Sequence, residues 1–273
     1  MTANEKPGGL GHSFFGFKRE RAFDYSLYVA SLIGFIAIWW IGSIVLSKAY
    51  LPTPLEVVDA FFKAFKQDPA TNLPMMQQVM ASLGRFAFGF GLALLVAVPL
   101  GLAMGYSRIF EGLGKPIVEI LRPIPPIAWV PLFFVAFGLF IGPVMTIFLG
   151  AFFPLVTNVM FGVKSVEPAL LDAAKTLGAS RMTIFTKVVF PYTIPYLMTG
   201  VTVGLGIGWM CIVAAEMIGA RGGGIGAIIL RNGDIGLYEY MFAGMLMIAI
   251  LGLLTTGLSK FIERRVSIWM GMR

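Results

Sequence analysis

The chain is poor in charge. Only 13% of its 273 residues are Asp, Glu, Lys or Arg, where about 25% is usual in a soluble domain. It has one cysteine, Cys211, which excludes an internal disulfide and any multi-cysteine metal site. Its one histidine, His12, lies near the N-terminus with no second metal-type ligand in reach, so histidine triads and metal clusters are not expected. It also lacks a nucleotide-binding P-loop, which needs G-x-x-x-x-G-K-[ST]. The stretch EGLGKP at 111–116 places Pro after the Lys, and GARGGGIGA at 219–227 has no Lys-Ser/Thr after it. No other catalytic constellation is present, so no catalytic or metal-binding residue is assigned. A net charge of +7 suits nucleic acid in some proteins. Here basic loops beside a membrane explain it more simply, and no nucleic-acid partner is expected.

What the sequence has in abundance is apolar surface. It is 58% hydrophobic with a mean hydropathy of +0.84. Its long uncharged runs read as membrane spans, which need about 20 residues each. Six are predicted: 27–46, 86–106, one within 116–140, 143–161, 195–218 and 241–258. The first is longer than the roughly 7–15 apolar residues of a signal peptide, and no A-x-A site follows it, so it is read as a span. The fold class is therefore an all-α, multi-pass membrane protein of six transmembrane helices set in a lipid bilayer.

Lys and Arg orient the spans. Fifteen lie in the N-terminal segment, the loops after spans two and four, and the C-terminal tail; six lie in the alternate loops. That asymmetry predicts that both termini are cytoplasmic, along with the loop after span four. The first external segment, 47–85, contains LPTPLEVVDAFFKAF, a proline-started amphipathic helix with Val57, Val58, Phe61, Phe62 and Phe65 on one face. Two placements are open: flat on the outer membrane surface, or packed on the span bundle.

The loop SVEPALLDAAKTLGASRMTIFTKVVFP, 165–191, cannot be a span. Pro168 suits a first helical position, and Leu170, Leu171, Ala174 and Leu177 form one apolar stripe. Gly178 fits a helix stop, and Ser180 can cap a second helix that carries Ile184, Phe185, Val188 and Val189 and ends at Pro191. Each helix has about ten residues, roughly 15 Å, against a hydrocarbon core of about 30 Å. Helices this short are marginal alone. They must dock either on the chain's own spans or on a partner.

These residues carry a resemblance. DAAKTLGAS…VVFP resembles the EAA motif of ABC importer permease subunits: E-A-A, three residues, Gly, nine residues, then I-x-L-P. Asp172, Ala173, Ala174 and Gly178 match its start, with Asp for Glu; Val188, Phe190 and Pro191 match its end, with Val for Ile and Phe for Leu. The stretches SLGRFAFGFGLALLVAVPLG, LRPIPPIAWVPLFFVAFG and AAEMIGARGGGIGAIIL also look like this family. The resemblance covers roughly 78–262 and is nearest to the nitrate, sulfonate, taurine and bicarbonate branch. It implies the type I ABC importer fold in the cell inner membrane. The implied organisation is a tail, first span and external segment (1–77), a permease core of five spans (78–262) and a cytoplasmic tail (263–273).

The resemblance further implies that the loop forms coupling helices seated in a cleft of an ATP-binding subunit. Small Ala173, Ala174 and Gly178 would allow close approach, and Leu170, Leu171 and Leu177 would supply apolar area. Lys175 and Arg181 would make rim contacts; Asp172, Ala179 and Ser180 complete the expected docking set. ATP and its Mg2+ would be bound by two such partner ATPase subunits, and no cofactor by this chain. The other implied partners are an external substrate-binding protein and a second permease copy or a homologue.

Five residues are candidates for the solute path. Pro125 and Pro126, in the third predicted span, cannot sit inside a regular helix without freeing carbonyls, and in lipid those carbonyls need a partner. The break either lines a cavity, as broken spans do at transporter sites, or is a kink. Thr157 and Asn158 are polar residues in span four, candidates for the path or for packing. Glu216 is the one formal charge inside the predicted spans. Intramembrane acids default to function, but its place near the outer end of span five also suits capping, or pairing with Arg221 or Arg231. Glycines four apart, Gly200, Gly204 and Gly208 in span five and Gly101 and Gly105 in span two, allow close helix packing, within one subunit or across a dimer seam. The alternative function is an autonomous ion-coupled carrier or channel. It would require ionisable groups in mid-membrane, and only the peripheral Glu216 is available.

Overall fold

Helices dominate because apolar backbone in lipid must satisfy its own hydrogen bonds. The computed structural model describes residues 12–46, 50–219 and 222–269. They form two compact units, 1–58 and 59–273. The first holds α1 (His12–Val45) and the start of α2 (Pro54–Lys66). After α1 the chain turns back, and the Trp39 indole N–H donates to the Pro52 carbonyl at 3.0 Å. A capping box starts α2: Thr53 N–H donates to Glu56 at 2.8 Å, and Glu56 N–H donates to Thr53 Oγ1 at 3.3 Å.

The second unit holds the rest of α2, then α3 (Met75–Tyr106), α4 (Arg108–Leu121) and a 3₁₀ turn (Pro126–Trp129). It continues through α5 (Val130–Lys164), α6 (Pro168–Thr176), α7 (Arg181–Ile184), a π turn (Phe185–Val189), α8 (Phe190–Gly219), α9 (Ile225–Asp234) and α10 (Tyr238–Trp269). Its centre is α5 packed along both α3 and α8. Small residues set those crossings. A Cβ on Gly101 would stand 2.8 Å from Val156 O, one on Gly200 3.1 Å from Asn158 Cβ, and one on Gly208 3.0 Å from Phe86. These glycines serve packing within the subunit. Beside them Phe86 stacks on Trp209 with centroids 4.4 Å apart, and the Trp209 N–H donates to Thr255 on α10 at 3.0 Å.

The expected amphipathic face of α2 is shifted. Val57, Ala60 and Ala64 are buried, whereas Val58 and Phe62 are exposed. Ala60, Ala64, Phe61 and Phe65 join one cluster with Met75, Val79, Ile225, Ile228, Ala243 and Met247. Its part in the second unit, 59–66, packs on α3, α9 and α10, where small Ala60 and Ala64 permit a closer approach than Phe62 would.

Among the described residues, five helices are long and apolar enough to cross a membrane: Ser26–Val45, Met75–Tyr106, Pro126–Lys164, Arg181–Gly219 and Tyr238–Val266. Six were expected. The difference lies at the third predicted span, within 116–140, which is not one helix. Around Pro123, Pro125 and Pro126 the α-helical ladder of α4 ends at Leu121, and helix resumes only with the 3₁₀ turn. Gly138 then breaks α5 with φ 76° and ψ 173°, a region that favours glycine. At about 1.5 Å per residue, α4 and the piece 126–137 each reach roughly 20 Å, short of a hydrocarbon core. After Gly138 the chain folds back, so that the Phe134 ring lies against Gly142. Glu111 near the start of α4 pairs with Lys164 at the far end of α5. The stretch 111–134 thus folds back toward 142–164, meeting it at its two ends, as two short helices joined by a break.

Candidate functional site

The loop 165–191 ends α6 in a Schellman turn. Gly178 takes φ 75°, its N–H donates to Lys175 O at 2.9 Å, and Ala179 N–H donates to Ala174 O at 3.0 Å. Ser180 then caps α7, accepting from Thr183 N–H at 3.2 Å. Stop and cap fall where the sequence places them. Two features differ. The second helix does not end at Pro191 but runs from Arg181 through the π turn into α8 as one element of 39 residues. The Phe190 N–H reaches back five residues to Phe185 O; this wide turn takes up the missing N–H and the ring of Pro191 without breaking the helix. The predicted apolar stripe also splits. Leu171, Ala174 and Ala179 pack inward on Val163, Val166, Ile184 and Val189, while Leu170 is 44% and Leu177 87% exposed. One face holds the loop on its own bundle. The other carries Leu170, Asp172, Ala173, Lys175, Leu177, Gly178, Ser180 and Arg181 outward. Asp172 pairs with Lys175 at 2.8 Å on this face, so the carboxylate is tied within its own helix.

Glu216 lies at the opposite end of the unit, and its cation is neither of the predicted ones. Arg221 falls outside the described residues, and Arg231 is exposed. The partner is Arg85 on α3: its Nη1 donates to Glu216 Oε1 at 2.7 Å and to Gly223 O at 2.7 Å. Ser82 Oγ lies 2.8 Å and 2.9 Å from the two carboxylate oxygens, and Gly226 N–H donates to Oε2 at 3.0 Å. The carboxylate thus also caps the N-terminus of α9, where a negative charge suits the helix dipole. Gln78 accepts from Gly224 N–H at 2.6 Å, and Ser82 from Ile225 N–H at 3.0 Å. Every side chain in this clamp is buried, Glu216 to 2% exposure and Arg85 to 6%. Gly224 has φ 134°, and a Cβ there would overlap the Glu216 carboxylate. The clamp locks the glycine loop 222–226 onto α3 and α8. Sequence reasoning missed Gln78, Ser82 and Arg85, because span two was drawn from residue 86. Their spacing of four and three on one helical face was the available signal.

Pro125 is exposed, and with Pro126 it occupies the break between α4 and the 3₁₀ turn, so the segment is broken rather than kinked. Thr157 and Asn158 each spend one donor on their own helix, to Phe153 O at 2.7 Å and Pro154 O at 2.8 Å. Both line a cleft between α4 and α5 together with Lys115, Glu119 and Arg122. At the mouth of α4, the hydrogen bond from Lys164 holds the Glu111 carboxyl below the usual carboxylate range. No group of three or more His, Cys, Asp or Glu is arranged to hold a metal ion among the described residues.

Known proteins share this architecture. The inward-facing MetNI methionine ABC transporter matches with a TM-score of 0.59 at 22% identity, over 70% of this chain and 95% of that one. An amino acid ABC transporter with histidines matches with a TM-score of 0.59 at 17% identity, over 75% and 98%. The taurine transport system permease protein TauC of Escherichia coli (strain K12) is 33% identical over 250 residues, 90% of each chain. The nitrate import permease protein NrtB of Leptolyngbya laminosa is 33% identical over 218 residues, 78% of each. Residues 75–268 match the family described as binding-protein-dependent transport system inner membrane component. This multi-pass chain belongs to that family of inner membrane ABC importer permease subunits.

Proposed function

We infer that the chain forms half of the translocation path of an ATP-driven importer for a small anionic solute. The solute is delivered by an external binding protein, and a second permease copy completes the path. Two separate ATPase subunits dock on the outward face of the 165–191 loop and drive alternating access. The observation that carries this reading is the loop itself: a rigidly stopped and capped helix pair with Leu177 almost wholly exposed and continuous with α8. A push on α7 is transmitted along a single 39-residue element into the packed centre of the unit. The broken segment 116–137, with the Glu111–Lys164 pair outside its end, serves as a sixth crossing, which returns both termini to the cytoplasm in accord with the Lys/Arg count. The anionic class rests on the nitrate and taurine relatives.

The test is uptake by proteoliposomes containing the chain with and without its ATPase subunits. Uptake of nitrate, taurine or bicarbonate only with the ATPase, the binding protein and ATP supports the reading. Transport by the chain alone supports an autonomous carrier and overturns it.

A further inference from the structure

The spans taken from the sequence contain no basic cluster, yet the structure assembles one. Lys115 on α4 and Arg122 just after its end face Thr157 and Asn158 on α5 across a cleft of about 340 Å3, with Glu119 as the one acid in its lining. We propose that this cleft is a binding station for the transported anion on the inner half of its path. The inference rests on the anionic-solute reading above.

Three observations carry it. The first is charge. Lys115 meets Glu119 only at 3.8 Å, and Arg122 has no ion-pair partner among the described residues, so the lining keeps an excess positive charge. The second is depth. Asn158 is six residues from Lys164 on α5, roughly 9 Å inward from the Glu111–Lys164 pair. Arg122 stands eleven residues past Glu111, roughly 16 Å along its segment, and a formal charge carried that far into a membrane protein faces a water-filled space or the bundle interior, not lipid. The third is chemistry. Thr157 and Asn158 use one donor each on their own helix, which leaves the second Asn158 N–H for an oxyanion beside the Arg122 fork and the Lys115 ammonium. Arg122 also directly precedes the break at Pro123 to Pro126, and broken spans are where transporters place their sites. Neither cation stands out in the sequence, since both read as loop charges.

The test uses the whole complex in nanodiscs with Cys211→Ala, which removes this chain's one native thiol, and Thr157→Cys, which puts a thiol in the cleft, modification being read on this chain. Modification rates are compared for an anionic and a cationic methanethiosulfonate reagent. The anionic reagent is expected to be favoured over its ratio on a free thiol, at least about fivefold less so after Arg122→Gln, with recovery in Arg122→Lys. Nitrate, taurine and bicarbonate are then added singly, and the one the complex takes up is expected to slow modification. An unchanged reagent ratio in Arg122→Gln overturns the proposal, and so does uptake of an anion that gives no protection. Uptake of none of the three sinks the anionic-solute reading and this proposal with it, so the two failures are distinguishable.

Discussion

Replacing Glu216 by Gln keeps its shape and removes its charge. Arg85 is then left buried with its carboxylate partner gone, and the Gly226 N–H loses its ionic acceptor. Breaking a buried ion pair by removing one partner costs about 3–5 kcal/mol, a large share of the 5–15 kcal/mol that stabilises a typical domain. The Gly223 carbonyl still accepts from Arg85, which places the expected loss toward the lower end, about 3 kcal/mol. The loss should be local, because the clamp ties the glycine loop and α9 to α3, while the packing of α5 on α3 and α8 does not depend on it. The assay is amide hydrogen exchange on the purified complex. Gly224, Ile225 and Gly226 donate into the clamp, and about 3 kcal/mol corresponds to roughly a hundredfold faster exchange at those amides. An Arg85→Met, Glu216→Met double variant should recover part of the loss, with a coupling energy of about 2 kcal/mol. Exchange within about twofold of wild type in Glu216→Gln would show that the pair does not hold the loop.

Other outcomes follow from the same structure. In thermal melts, Gly224→Ala adds a methyl where the Glu216 carboxylate sits, at φ 134°, and should cost about 2–4 kcal/mol; Gly236→Ala, at φ 78° in open space, should cost only about 1 kcal/mol. Ser180→Ala removes the α7 cap and should lower stability by about 1 kcal/mol, read as faster exchange at Thr183. The Glu111 carboxyl is held below its ordinary pKa by Lys164, so its contribution is present above the ordinary carboxylate pKa and is lost as pH falls through the lowered value. A spin-label distance from α4 to the Lys164 end of α5 should therefore lengthen on acidification in the native chain, and be long at every pH in Glu111→Gln.

The signals that were legible in the sequence are local ones. Gly178 and Ser180 stop and start helices by backbone geometry and a single hydroxyl, and both act on residues three or four away. The Thr53–Glu56 box is equally local, although only the proline start of that helix is read from the sequence. Apolar length located the long helices, but it could not distinguish one crossing from two short helices in 116–140, because hydropathy is insensitive to a proline break and to the positive φ of Gly138. The clamp was invisible for another reason. Arg85 and Glu216 are 131 residues apart, and nothing in the sequence joins them except the packing of α3 near α8. The same holds for Arg122 and Asn158, which read as a loop charge and as a residue for the path or for packing until the cleft between α4 and α5 brings them together. The continuity of α7 with α8 was hidden by Pro191, an ordinary helix stop that the π turn overrides.

The central claim is that the outward face of the 165–191 loop receives the ATP cycle of another subunit. Gly178→Asp tests it most directly. A Cβ at Gly178 meets nothing within 4 Å, and Asp tolerates this left-handed conformation, so the chain should insert and melt within about 1 kcal/mol of wild type. The measurement is solute-stimulated ATP hydrolysis by the reconstituted complex of permease, ATPase and loaded binding protein. The expected result is loss of stimulation with insertion intact; normal stimulation in Gly178→Asp would contradict the docking of the ATPase on this loop.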